Sequence, residues 1–361
     1  MTETTTGAAK KPVAARLQAL DTRWFTQVLR EGQHASAGVD AVSVEPMSFT
    51  GAAADMARIR LRYDSKGTPG PASLIAKIRG ESANLQAMDA AMGLYAREAR
   101  LYTEFAPQLP VRTPRCYHAG DGTEKPLLLE DLGGLRAGDQ MIGLTLSEAR
   151  KLMDALADLH ARFWEQPEAA VDWLVQPATG VYAGMVVHLV GSGAEALGKR
   201  YRGQVKNEVL DAAVKLCARW GDVLKASTEG PQTLVHNDSR LDNFFFDRDD
   251  TPIFVDWQIP ARSRGTQDVA NLLAGSMNTP ELSEYWQSLL RRYHDRLLGN
   301  GVRHYSFDDA RGHYRQNILY PLGAGIALLG HLDIGDNRGL GDAINLRALQ
   351  HCGELESFAS V

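Results

Sequence analysis

The chain has 361 residues, of which 44% are hydrophobic and 23% charged, with a formal net charge of -5. That is enough apolar material for two packed lobes, and the near-balanced charge sets up no global field toward nucleic acid or a membrane surface. Cys116, Cys217 and Cys352 are too far apart and odd in number for a disulfide framework or a zinc cluster. No apolar run reaches the ~18 residues of a membrane span, so the expectation is a cytoplasmic protein with neither a membrane nor a nucleic-acid partner.

Residues 1–15 are rich in Thr, Ala and Lys and read as a disordered tail, followed by a helix over 15–31 with Leu17, Leu20, Trp24, Val28 and Leu29 at helical spacing. The pattern then switches to strands at 42–44, 56–63 and 73–78, the last two separated by a Lys66-Gly-Thr-Pro-Gly70 turn. Between the first two, residues 48–55 have the small side chains of a loop that turns over phosphates, with Gly51 as its one glycine; an ordinary hairpin turn is the alternative. A long helix is predicted over 82–105, then strands near Cys116 and over 127–129. Beyond Gly133-Gly134 the character is helical, opening on a Thr145–Glu148 capping box, with a short β segment at 233–235, 243–246 and 253–255.

That β segment carries the chemistry. In Leu234-Val-His-Asn-Asp-Ser-Arg-Leu-Asp-Asn-Phe-Phe-Phe246 apolar strands bracket a polar loop, with Asp238 and Asn243 five apart and His236 two residues ahead. This is the spacing of a phosphoryl-transfer loop, in which an aspartate accepts the proton of the attacking hydroxyl and an amide binds metal. Asp256 emerges from the end of the next strand. Asn243 and Asp256 are oxygen donors of the kind Mg2+ takes alongside phosphates and water, and Asp238 is the candidate base.

Further upstream, Lys77 lies inside the apolar strand Leu74-Ile-Ala-Lys-Ile78 and needs an anion if buried; an edge lysine reaching water is the bland alternative. ATP phosphates and a helix acid would be its partners, and Glu98, on the face of Leu94, Leu101 and Phe105, is better placed than Glu104.

Together these residues resemble the aminoglycoside phosphotransferase and choline kinase superfamily, within which the combination of Leu128-Leu-Glu-Asp-Leu132 with the C-terminal Tyr293, Leu297 and Tyr305-Ser-Phe307 pattern looks closest to bacterial ecdysteroid kinase-like proteins. The resemblance implies an α+β, bilobal protein-kinase-like fold: an N-lobe over 16–131 with an antiparallel sheet and one helix, and a mainly helical C-lobe over 132–361. It implies ATP and Mg2+, a small-molecule hydroxyl acceptor, and a hinge in which the backbone of Leu129, Glu130 and Asp131 lies near adenine. Asp268 resembles the acid that braces the catalytic loop. Two departures are Asn237, where the superfamily has glycine, and the glycine-poor loop around Gly51.

Two rivals accompany this reading: a non-catalytic nucleotide-binding protein on the same fold, and a hydrolase using Ser239 with His236 and Asp238, which lacks a G-x-S-x-G elbow. Aminoglycosides are polycations that need carboxylates, whereas the expected acceptor region carries Arg291, Arg292, Arg296, Arg303, Arg311 and Arg315 among Trp286, Tyr293, Tyr305 and Tyr314. That favours a neutral or partly apolar alcohol over an aminoglycoside-type antibiotic. His160, on an apolar helix face, reads as a hydrogen-bonded core residue. Oligomeric state and the choice between ATP and GTP are not encoded in any of these patterns.

Overall fold

The computed structural model describes residues 16–17, 20–47, 54–80, 83–166, 172–330 and 338–361. The tail at 1–15 and the loop residues 48–53, Gly51 included, lie outside them. The chain forms two compact units, one running to Pro107 and resuming over Pro114–Gly134, the other made of Gln108–Thr113 and Leu135–Val361.

In the first unit Arg16 and Leu17 are helical, and helix α1 (Thr22–Glu31) starts anew where the Asp21 carboxylate accepts the Trp24 amide at 2.8 Å and caps it. Strands β1 (Val39–Pro46), β2 (Ala54–Tyr63) and β3 (Ser73–Arg79) follow, then α2 (Ala83–Met92), α3 (Leu94–Arg100), β4 (Cys116–Ala119) and β5 (Leu127–Glu130). The sheet is antiparallel in the order β1-β2-β3-β5-β4, so β3 is its central strand. Phe25, Val28 and Leu29 of α1 pack into its core with Ile59, Leu74, Ala76 and Leu128.

The single helix expected over 82–105 is two helices. Gly93 takes a left-handed φ of 63°, which costs a glycine little, and the Asp89 carboxylate then accepts the Tyr95 amide at 2.9 Å to start α3. The chain continues through a wider turn at Leu101–Phe105.

The second unit contains β6 (Arg136–Ala137) and α4 (Leu146–Phe163), whose start has the expected reciprocal Thr145–Glu148 cap. Then come α5 (Gly180–Arg200), α6 (Asn207–Cys217), α7 (Trp220–Ser227), β7 (Thr233–Val235), β8 (Phe244–Phe246), β9 (Pro252–Phe254) and β10 (Ala261–Ser263). Helices α8 (Gly265–Ser276), α9 (Thr279–Gly299), α10 (Phe307–Asn317), α11 (Leu319–Gly330) and α12 (Arg338–Glu354) complete it. The two-residue β6 and the short β10 carry too little alternation to be read from sequence; each pairs with a strand of the central segment, β6 with β8 and β10 with β7. Gln108–Thr113 belongs here because the Arg112 carbonyl accepts the Phe254 amide at 2.9 Å.

Every residue of α8 is buried, which makes it the core helix of this unit. Its first residue shows why glycine stands there: a Cβ on Gly265 would lie 2.3 Å from the Tyr293 hydroxyl and 2.7 Å from His160 Nδ1. Among the described residues, no helix is long and apolar enough to cross a membrane.

Candidate active site

The loop between β7 and β8 is held from beneath by α8. Asp268, fully buried, accepts the His236 amide at 2.7 Å on one carboxylate oxygen and the Asn237 amide at 2.8 Å on the other. His160 adds a contact to the first oxygen at 3.2 Å through Nε2, while its Nδ1 meets the Tyr293 hydroxyl at 2.8 Å. His160 is therefore the hydrogen-bonded core residue its helix face suggests. Burial works to raise the Asp268 carboxyl, but His160, the His236 side chain and the His236 amide outweigh it and hold it below the ordinary carboxylate range.

His236 is a structural link. Its Nε2 lies 2.9 Å from the Val255 carbonyl and its Nδ1 accepts the Asp238 amide at 3.3 Å, so one neutral tautomer satisfies both. The ring packs 4.3 Å from that of Trp257. Ser239 donates to the Asp268 carbonyl at 2.9 Å and is buried, so Ser239, His236 and Asp238 form no nucleophilic triad.

Asp238 remains half-buried, its carboxylate 32% exposed, while the loop around it is closed. Asn243 Nδ2 donates to the Asp238 carbonyl at 2.8 Å and to its carboxylate at 2.9 Å. With that nitrogen committed, the amide oxygen is the remaining polar atom of the Asn243 side chain. Asp256 is brought alongside because the Val255 amide donates to the Asn243 carbonyl at 3.0 Å, and it holds a left-handed φ of 63°. Such a conformation is uncommon for an aspartate and re-aims its side chain at the strand end.

The donor set suits a hard divalent cation: an amide oxygen and a carboxylate, with no sulfur or imidazole. Among the described residues no group of three or more His, Cys, Asp or Glu could by itself hold a metal. Mg2+ matches that poverty of protein ligands, since it commonly keeps waters and substrate phosphates and takes only one or two side chains.

In the first unit, Lys77 sits on the central strand, with β2 and β5 paired on either side, which removes the edge-strand alternative. Its Nζ lies 2.7 Å from both carboxylate oxygens of Glu98, and the two residues are 5% and 1% exposed. Glu104, by contrast, pairs with Arg100 at the surface. Leu129 and Glu130 end β5. The Asp131 carboxylate is engaged by Arg58 at 2.7 Å and by the Gly133 amide at 2.9 Å, so its side chain shapes the segment rather than projecting from it.

Several contributors escaped the sequence. Tyr320 donates to the Asn237 carbonyl at 2.8 Å, and the Tyr182 hydroxyl lies 2.8 Å from that of Tyr320. Burial, with the charge of Asp238 adding to it, pushes both phenols up. Gln267 holds the Asn237 side chain, and Asn237 adopts the left-handed φ of 69° that a glycine would otherwise supply. On the far side of the loop, Gln140 accepts the Leu241 amide at 2.8 Å. A tyrosine on α11 and a glutamine after β6 carry no local mark of a role 80 to 100 residues away.

The arginine-rich region expected to line an acceptor site is structural. Arg292 and Arg296 form close forks with Asp154 and Asp158 on α4, Arg315 donates to the Leu355 and Glu356 carbonyls, and Arg291 lies over the Phe307 ring. Tyr293 and Tyr314 are fully buried. The charge of Asp238 reaches Tyr182 and Tyr320, and Tyr182 packs against the cluster of Val175, Val235 and Ala261.

The fold is that of the kinase-like phosphotransferases. It matches a choline kinase from Cryptosporidium parvum Iowa II (11% identity, 93% of this chain and 95% of that one, TM-score 0.51). It also matches a macrolide 2'-phosphotransferase from Brachybacterium faecium (14% identity, 90% and 97%, TM-score 0.50) and an ADP-bound aminoglycoside phosphotransferase (15% identity, 93% and 99%, TM-score 0.50). A comparison with curated proteins returns no match in sequence. The family is nonetheless clear: the model of the ecdysteroid kinase-like family matches residues 50–303, and the chain belongs to that family.

Proposed function

We propose that the protein is an ATP- and Mg2+-dependent phosphotransferase that moves the γ-phosphate to a hydroxyl of a small molecule, with Asp238 as the base. The observation that carries this is the Asp238–Asn243 pair, a partly exposed carboxylate oriented by the amide nitrogen of Asn243. Asp238 would receive the proton of the acceptor hydroxyl and align it for in-line attack. Asn243 and Asp256 would hold Mg2+, which when bound neutralises phosphate charge. Lys77, held by Glu98, would contact the nucleotide phosphates, and the backbone of Leu129, Glu130 and Asp131, with the loop of Gly51, would complete the nucleotide contacts.

For the acceptor, the apolar residues beside Tyr182 and the two phenols favour a neutral alcohol. A polycationic antibiotic would need spare carboxylates, and the acids of the loop already surround Arg240. The test is incubation with ATP, Mg2+ and a library of hydroxylated metabolites, read by mass spectrometry. A product heavier by one phosphoryl group, absent without Mg2+, supports the reading; ATP binding with no transfer to any acceptor supports a non-catalytic nucleotide-binding protein instead.

A further inference from the structure

Arg240 is the one cation inside the loop. Some arginines tie elements together closely, as in Arg58–Asp131 at 2.7 Å and Arg292–Asp154 at 2.6 Å. Arg240 instead stands off: its Nε is 3.5 Å from the Asp238 carboxylate and its Nη1 3.7 Å from that of Asp242. Its Nε is buried and makes no hydrogen bond of ordinary length. Asp256 also acts on it, and the three acids together hold its proton more tightly against the opposing effect of burial. One guanidinium thus stands between two carboxylates without a close bond to either, and the charge of Asp256 reaches it as well.

Two of those acids are the base and a proposed metal ligand. A monovalent side chain and a divalent cation then occupy overlapping fields, and whichever is present reduces the attraction felt by the other. Loose contacts make the side chain displaceable, because little directional bonding is lost when it moves.

We propose that Arg240 is the resident counter-ion of this acid cluster, neutralising Asp238, Asp242 and Asp256 when no divalent cation is present and opposing metal binding until nucleotide phosphates arrive to share its charge. The inference rests on the reading of Asn243 and Asp256 as metal ligands. It makes metal and nucleotide binding mutually dependent: the metal alone binds weakly, and the phosphates supply the anion that lets Arg240 leave the carboxylates.

The test uses Mn2+ alone as the probe, titrated into nucleotide-free full-length protein and followed by electron paramagnetic resonance of free Mn2+. Arg240→Gln should bind Mn2+ about tenfold more tightly than wild type, and Arg240→Lys should bind like wild type. If Arg240→Gln leaves three acids too poorly compensated to fold, Arg240→Gln with Asp242→Asn restores the loop's net charge and should also bind more tightly. Unchanged affinity in the Arg240 variants, with binding lost in Asn243→Ala, overturns the counter-ion role and leaves the metal assignment standing. Absence of Mn2+ binding in every variant overturns both.

Discussion

The Asn243 side-chain amide donates at once to the backbone carbonyl and to the carboxylate of Asp238, at 2.8 and 2.9 Å. The contact fixes the Asp238 carboxylate to its own loop and commits the amide nitrogen. Asn243→Ala should therefore lower phosphoryl transfer by about 100-fold or more and raise the Mg2+ concentration needed for half-maximal rate. Rates measured across a Mg2+ titration check this; an unchanged Mg2+ requirement removes Asn243 from the metal site.

Lys77 and Glu98 form a buried ion pair, and removing one charge takes this partner from the other. Lys77→Met should cost about 3–5 kcal/mol in urea denaturation, whereas Lys77→Met with Glu98→Leu should recover most of that stability. Both variants should lose ATP affinity. A double variant that is stable and still binds ATP like wild type would make the pair purely structural.

The pH dependence of stability follows from Asp268. Its folded carboxyl titrates below the ordinary value, so the stabilisation it contributes is fully present above the unfolded carboxylate range and is lost as pH falls toward the folded value. Asp268→Asn should cost about 2 kcal/mol or more near neutrality and flatten the fall in stability on acidification from about pH 5 down to about pH 2. Denaturant midpoints over that range measure it; parallel pH profiles for variant and wild type would rule it out.

Tyr320 reaches the loop of Asp238 through the Asn237 carbonyl. Tyr320→Phe should reduce kcat roughly tenfold while leaving KM for ATP unchanged, the signature of a mispositioned base rather than a lost nucleotide contact. A rise in KM for ATP at constant kcat would contradict that role.

Much of this was legible in the sequence, for identifiable reasons. Lys77 stood out because a charge in an apolar strand demands a partner, and its helix phase pointed to Glu98 rather than Glu104. The five-residue spacing of Asp238 and Asn243 lies within one loop, where sequence distance and spatial distance agree. The break at Gly93 was hidden because Leu94, Leu101 and Phe105 keep an apolar face on its far side. The arginines of α9 and α10 misled because arginine on a helix reads the same whether its acid lies across the interface, as Asp154 and Asp158 do, or in a ligand. Tyr182, Tyr320, Gln140 and Gln267 act through tertiary hydrogen bonds that no local pattern encodes.

The central claim is that Asp238 is the base of a phosphoryl transfer. With the acceptor found by the metabolite screen, transfer and ATP binding should be measured side by side for wild type and Asp238→Asn. Transfer lowered by about 1,000-fold or more with ATP affinity retained is the predicted result; turnover equal to wild type would contradict it.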